Sequence, residues 1–300
     1  MNRRTFSRNL AGAAFSAAGI EAKQGVAAPS SESSAPYGLS VMLWTVFRNL
    51  PFEQRLARVA EAGYKNVELV GEYKKWSEAD FKRANAKRKE LGISFDTTAG
   101  LNHAVGNPAD RQAMLSDIRN ELPIMEKIDC PAVIVMSGNV IPGLSREQQH
   151  QSCIEGLKRA ASLIEGKQIS GQPVRLLLEN IDPEENPRYY LTSVAEGFEI
   201  IRAVNHPQVR FLYDFFHEQI AEGNLMEKLE KNIEYTGLVH IADVPGRHAP
   251  GTGEINYANI YRKLAELNYN RIVAMEFIPL GDPVAELRQA REAALGVRRV

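Results

Sequence analysis

The chain has 300 residues, a formal net charge of -1, 44% hydrophobic and 24% charged residues, enough to bury one large core or two smaller ones. Near-neutral charge argues against nucleic acid as a partner, because binding it calls for a basic face. After the first residues no apolar run approaches the length of a membrane span, so no membrane partner is expected either.

Residues 1–28 stand apart from the fold. They carry the pair Arg3–Arg4, Phe6 two residues later, and a weakly apolar run over residues 10–20. That run is too short for an anchor, and the pattern resembles a twin-arginine export signal. The expectation is a cleavable signal over 1–28, cut near Ala27 or Ala28, and a flexible linker over 29–36. The export machinery would then be a partner, and the location periplasmic or otherwise exported. That route moves folded proteins, so a metal ion would be loaded beforehand.

From Tyr37 onward apolar strands alternate with amphipathic helices. The first strand is expected over 37–44. A helix follows over 51–63, with Phe52, Leu56, Val59 and Ala60 on one face and Gly63 as its stop. The second strand covers 65–70, and the second helix 77–92 with Ser77 as N-cap. Strand 93–100 leads to helix 109–127, strand 131–138 to helix 145–166, and strand 174–180 to helix 193–204. Strand 209–216 precedes a shorter helix over 224–232. Strand 236–243 precedes helix 257–268, and strand 271–278 precedes the last helix, 283–295. The strands are apolar runs, as expected where both faces are buried.

Eight strands and eight helices in strict alternation give an α/β fold, a (β/α)8 TIM barrel forming a single domain over 37–300. A doubly wound sheet would carry a glycine-rich turn after its first strand, and "LWTVFRNLPF" has no glycine. Cys130 at a strand start and Cys153 inside the following helix are expected as buried free thiols rather than a disulfide.

In such a barrel the carboxyl ends of all strands open onto one face. The last four strands end in Glu179 (LLLEN), Asp214 (FLYDFFH), His240 (LVHIAD) and Glu276 (AMEFIP). The separations are 35, 26 and 36 residues, each about one βα unit. Three carboxylates brought together repel one another and resist desolvation, and a divalent cation supplies the missing positive charge. Three oxygen ligands and one imidazole suit Mn²⁺ or Mg²⁺ and also Co²⁺, with Zn²⁺ less natural.

At these residues the chain resembles the xylose isomerase-like barrels, the sugar isomerase and epimerase family, and within it the hydroxypyruvate isomerases. The most specific stretch is residues 238–257, "LVHIADVPGRHAPGTGEINY", in its proline, Arg-His, Gly-Glu and Asn-Tyr elements. "WTVFRNLPFEQRLARVAEAGYKNVEL" is similar to the family's opening segment. The resemblance covers residue 37 to the carboxyl terminus. It implies a metal held by Glu179, Asp214, His240 and Glu276, with Glu179 and Glu276 as the proton-transfer pair. It also implies a small sugar or hydroxy-keto acid substrate, and members that often pair as dimers or tetramers. One departure stands out. Hydroxypyruvate isomerases often carry glutamine where this chain has His240, and histidine there is the pattern of the ketose 3-epimerases of the tagatose/psicose type.

The implied activity is metal-dependent aldose–ketose isomerisation through an enediolate. A glutamate takes the proton next to a carbonyl, and a glutamate across the substrate returns it to the neighbouring carbon. Return to the other face of the same carbon would be epimerisation. Arg247 is expected to grip a carboxylate or hydroxyl, and His217 to donate to the developing oxyanion. His103, at the end of strand three, is a further substrate-binding candidate. So is Trp44 at the end of strand one, with Phe47 as an apolar wall. His248 reads equally well as a solvated loop residue, His150 and His206 as structural, Glu68 as a buried partner inside the barrel, and Glu72 as a weak pocket candidate. A multi-zinc nuclease would need more histidines and a basic track. A non-catalytic periplasmic sugar-binding barrel would not need two glutamates flanking a metal.

Overall fold

A computed structural model describes residues 35–296, and the expected signal and most of the linker fall outside them. In chain order the elements are β1 (Gly38–Met42), α1 (Phe52–Glu61), β2 (Asn66–Leu69), α2 (Glu78–Leu91), β3 (Ser94–Thr98), α3 (Arg111–Lys127), β4 (Ala132–Met136) and α4 (Arg146–Ile164). A short antiparallel hairpin, β5 (Gln168–Ile169) and β6 (Gln172–Pro173), comes next. The chain continues with β7 (Arg175–Glu179), α5 (Val194–Val204), β8 (Val209–Asp214), α6 (Phe215–Ala221), α7 (Leu225–Asn232), β9 (Thr236–Ile241), α8 (Tyr257–Glu266), β10 (Ile272–Met275) and α9 (Pro283–Leu295). All but β5 and β6 close into a barrel in the order β1-β10-β9-β8-β7-β4-β3-β2, every pair parallel. This is the expected (β/α)8 barrel.

Strand parity sorts the side chains into two cores. One set points inward: Met42, Ala132, Ile134, Leu177, Leu212, Leu238 and Ala274 form an apolar plug along the barrel axis. The alternate residues, such as Leu176, Leu178, Phe211 and Val239, face the helices in the much larger outer core. Each fully buried Leu or Val there contributes about 1.5–3 kcal/mol. Helix caps hold the outer layer in place. Ser77 accepts from the Asp80 amide in a capping box, and Ser145 and Gln148 repeat the arrangement on α4.

Three local differences from the expected elements have identifiable causes. Strand one stops at Met42 because Leu43–Thr45 closes into a 3-10 turn, with Thr45 Oγ1 donating to the Met42 carbonyl at 2.9 Å. The strand expected over 209–216 stops at Asp214. Its carboxylate accepts the Phe216 amide at 2.7 Å and the His217 amide at 3.4 Å, and so nucleates α6. The β5–β6 hairpin turns through Ser170 and Gly171, both left-handed. Cys130 and Cys153 are buried free thiols as expected.

Candidate active site

The same parity builds the site. Two residues beyond the plug members Leu177, Leu212, Leu238 and Ala274 stand Glu179, Asp214, His240 and Glu276. A step of two along a strand returns to the same face, so the four polar residues form the layer directly above the apolar plug. Asp214 and His240 are register partners on neighbouring strands, and the Glu276 amide extends the ladder to Ile241 at 3.0 Å. All four are buried. Each offers a ligand atom, and these atoms lie within 4.8 Å of one another.

His240 is the hub. Its Nδ1 meets Glu276 Oε2 at 2.6 Å and stands 3.8 Å from Glu179 Oε1. Its Nε2 meets Glu68 Oε2 at 3.0 Å from across the barrel. Glu68 is therefore the buried partner that the sequence indicated, and it fixes the ring so that Nδ1 faces the acidic cluster. Arg247 forms the roof. It pairs with Glu276 at 2.8 Å and Asp214 at 3.5 Å, and its Nη1 reaches both Glu185 oxygens at 3.0 and 2.9 Å. Its guanidinium lies against the rings of Trp44 and Phe216, 5.3 and 4.9 Å from their centroids. Trp44 Nε1 donates to Glu276 Oε1 at 2.6 Å. His217 Nδ1 meets Asp182 Oδ2 at 2.6 Å, while its Nε2 lies 3.5 Å from Asp214 Oδ2.

These contacts push the carboxyls apart in acidity. Burial raises Glu179 to about 8, with His240 opposing and Glu276 adding to the shift. Burial would also raise Glu276, but Arg247 and His240 overcome it and hold the group far below its ordinary value. His240 is raised well above its ordinary value, since Glu276 and Glu68 outweigh desolvation. His217 rises too, as Asp214 and Asp182 outweigh desolvation.

The donor set fits a divalent cation. Six carboxyls (Glu68, Glu179, Asp182, Asp214, Glu185 and Glu276) surround one arginine and two imidazoles, so acid outnumbers base even with both rings protonated. Ligands about 2.1 Å from a shared octahedral centre stand at most about 4.2 Å apart, so the present spacing needs only a small contraction.

Above the cluster a cavity of about 460 Å³ opens at the barrel mouth. Glu179, Glu276, His217, Arg247 and Trp44 line it, over an apolar wall that includes Met42, Ile134 and Met136. The structure does not bring every expected residue there. His103 lies five residues beyond β3 in a loop, where Asp117 Oδ2 takes its backbone amide at 2.8 Å and its Nδ1 at 2.9 Å. It is absent from the cavity wall, held aside by Asp117 on α3. Phe47 is buried in the outer core, and His248 bonds the Ile278 carbonyl at the surface. Glu72 pairs with Arg55. His150 pairs with Glu196, and His206 Nδ1 accepts the Gln208 amide ahead of β8. Lys74, Asp182 and Glu185 were not anticipated. Lys74 and Glu185 line the cavity, and Asp182 backs His217. The only sequence signal among them was the acidic run after Glu179 in "LLLENIDPEE".

The family profile for the xylose isomerase-like TIM barrel matches residues 56–295. The chain belongs to the xylose isomerase-like TIM barrel family. It is 30% identical to a putative hydroxypyruvate isomerase of Danio rerio, covering 86% of this chain and 96% of that one. It is 31% identical to the 2-oxo-tetronate isomerase of Pectobacterium atrosepticum, covering 79% and 90%. Relatives of this kind place the family member among isomerases. A crystal structure described as AP endonuclease, family 2, from Brucella melitensis superposes with a TM-score of 0.75 at 25% identity, over 84% of this chain and 96% of that one.

Proposed function

We propose that this barrel is a divalent-cation-dependent isomerase of a small hydroxy-keto acid of the hydroxypyruvate type, with Glu179 and Glu276 as its proton-transfer pair. The observation that carries the reading is two glutamates from β7 and the end of β10, both inward, both beside His240, and both on the wall of one cavity. Glu179, Asp214, His240 and Glu276 would hold the ion, and Mn²⁺ or Mg²⁺ suits this oxygen-rich set best. When bound, the ion polarises the substrate carbonyl and stabilises enediolate charge.

The chain's own residues do the rest. One glutamate removes a proton from the hydroxyl-bearing carbon, the other returns a proton to the former carbonyl carbon, and the hydroxyl proton passes to the former carbonyl oxygen. The hydroxy ketone thereby becomes a hydroxy aldehyde, with no net change in atoms or electrons. Arg247 fixes the substrate carboxylate. Its Nη1 already takes both oxygens of Glu185, a carboxylate at the rim whose side chain is 42% exposed, and a substrate carboxylate replaces it. His217, held by Asp182, donates toward the developing oxyanion. Met42, Ile134 and Met136 keep water from the wall opposite.

The test is exchange of the substrate carbon-bound hydrogen with D₂O. Glu179→Gln and Glu276→Gln should each lower turnover by roughly 10²–10⁴-fold, the usual worth of a positioned acid or base, while substrate still binds. Undiminished exchange in both variants ends the proposal. A second reading, ketose 3-epimerisation, is favoured by His240 standing where hydroxypyruvate isomerases often carry glutamine. Turnover of free ketoses in preference to hydroxypyruvate would select it.

A further inference from the structure

The barrel's other end holds an arrangement that the isomerase reading does not use. A cavity of about 690 Å³ opens among the strand starts, lined by Asn66, Ser94, Asp96, Arg175, Asn270 and Arg271 among others. Beside it lies a second cavity of about 320 Å³, lined by Lys167, Arg175, Arg210 and Arg271 with no acidic residue. Arg175 and Arg271 belong to both walls.

Three guanidiniums meet here. Arg175 and Arg210 share the inward parity of Leu177 and Leu212, and Arg271 directly precedes β10. Among the described residues none of the three is in an ion pair within 4.0 Å. Arg271 donates to the Thr236 carbonyl, and Arg210 Nη1 to the carbonyls of His206 and Val209 at 3.2 and 3.1 Å. Those bonds satisfy N–H groups without cancelling charge. Arg210 Nε is buried and has no partner. Glu234 acts on Arg210 only from beyond pairing distance. Burial lowers the pKa of Arg175 and Arg210, and the neighbouring arginines lower it further. Space for the cluster is built in, since a Cβ on Gly237 of β9 would stand 2.5 Å from Arg210 Cβ.

We infer that the amino-terminal end of the barrel binds a small phosphorylated, hydroxyl-bearing molecule, its phosphate held by Arg175, Arg210, Arg271 and Lys167 and its body in the larger cavity. A phosphate dianion offers several acceptor oxygens to planar guanidinium forks and relieves repulsion among three arginines that no ion pair within 4.0 Å offsets. The larger cavity is lined by groups that can meet a polyol's hydroxyls, the amides of Asn66 and Asn270 and the carboxyls of Asp96 and Asp129, although Asn66 Nδ2 already donates to the Leu39 carbonyl at 3.0 Å, Ser170 Oγ to Asp129 at 3.0 Å and Ser40 Oγ to Asp96 at 2.6 Å. Both volumes fall in the range of small-molecule sites, about 300–1,000 Å³. The site lies at the opposite end of the strands from Glu179 and Glu276, so its occupant does not compete with substrate.

Titration calorimetry on the full chain tests this, with inorganic phosphate, glucose 6-phosphate and free glucose as probes at constant ionic strength set by chloride. Saturable binding of both phosphates is expected, with glucose 6-phosphate at least several-fold tighter and free glucose silent. Arg175→Gln should weaken binding at least tenfold, whereas Arg247→Gln at the catalytic end should leave it unchanged. Lys167→Gln, at the rim of the smaller cavity, serves if Arg175→Gln fails to fold, and should weaken binding several-fold. Absence of binding beyond the chloride control would overturn the inference. So would binding that vanishes in Arg247→Gln but survives in Arg175→Gln and Lys167→Gln. Equal affinity for inorganic phosphate and glucose 6-phosphate would overturn the role given to the larger cavity.

Discussion

Removing Glu68 should loosen the metal site without touching any proposed ligand. Glu68 is fully buried and meets His240 Nε2 at 3.0 Å, on the side of the ring away from the cluster. That contact holds the ring with Nδ1 directed at Glu276 and Glu179. Such an outer carboxylate typically contributes 10–100-fold to metal affinity, or about 1.4–2.8 kcal/mol. Glu68→Ala should lose that much Mn²⁺ affinity in a competition titration against a chelator. It should also lower thermal stability, because a buried imidazole N–H without its acceptor costs about 1–3 kcal/mol. Glu68→Gln keeps an acceptor at the same place and loses only the charge, so its affinity should fall between wild type and Glu68→Ala. Affinity for Mn²⁺ within twofold of wild type in Glu68→Ala would refute the positioning argument, whatever happened to stability.

Arg247→Lys replaces a fork that spans Glu185, Asp214 and Glu276 with a point charge. The KM for hydroxypyruvate should rise by roughly tenfold or more, with little change in KM for free ketoses, and a uniform rise across both classes would contradict a carboxylate role. Gly197 on α5 has no room for a side chain, since a Cβ there would stand 2.2 Å from Phe211 Cε2. Gly197→Val should cost at least the 1–3 kcal/mol typical of overpacking, read as a lower denaturant midpoint, and an unchanged midpoint would mean that α5 does not press on β8 as described. Burial of Glu218 raises its carboxyl from 4.5 to about 7 against the pull of Lys228. A raised carboxyl contributes stability that is present below the unfolded value and lost as pH rises through the folded one. Wild type should therefore lose stability relative to Glu218→Gln between pH 4.5 and 7, by about 3 kcal/mol at most, and parallel melting profiles would contradict this.

Alternating apolar runs and amphipathic helices were enough to read the barrel, because burial of both strand faces leaves a compositional trace that survives in a single sequence. Glu179, Asp214, His240 and Glu276 stood out for the same reason, each a polar residue closing an apolar run. What sequence left hidden depends on contacts between distant elements. Glu68 sits 172 residues from His240, and nothing local marks them as partners. Asp214 and the Phe215–Phe216 pair read as continuing strand, yet the carboxylate turns back on two amides and starts α6. His103 looked like a rim residue by position alone, and Asp117, fourteen residues later on α3, draws it away. Arg175, Arg210 and Arg271 carry no shared motif, and only barrel closure brings them together.

The most direct measurement is anomalous scattering from crystals of the protein grown or soaked with Mn²⁺. One strong peak per chain is expected at the carboxyl end of the barrel, with carboxylate oxygens of Glu179, Asp214 and Glu276 and Nδ1 of His240 each roughly 2.1–2.3 Å away. Mn²⁺ bound elsewhere, or held by fewer than three of these four residues, would contradict it.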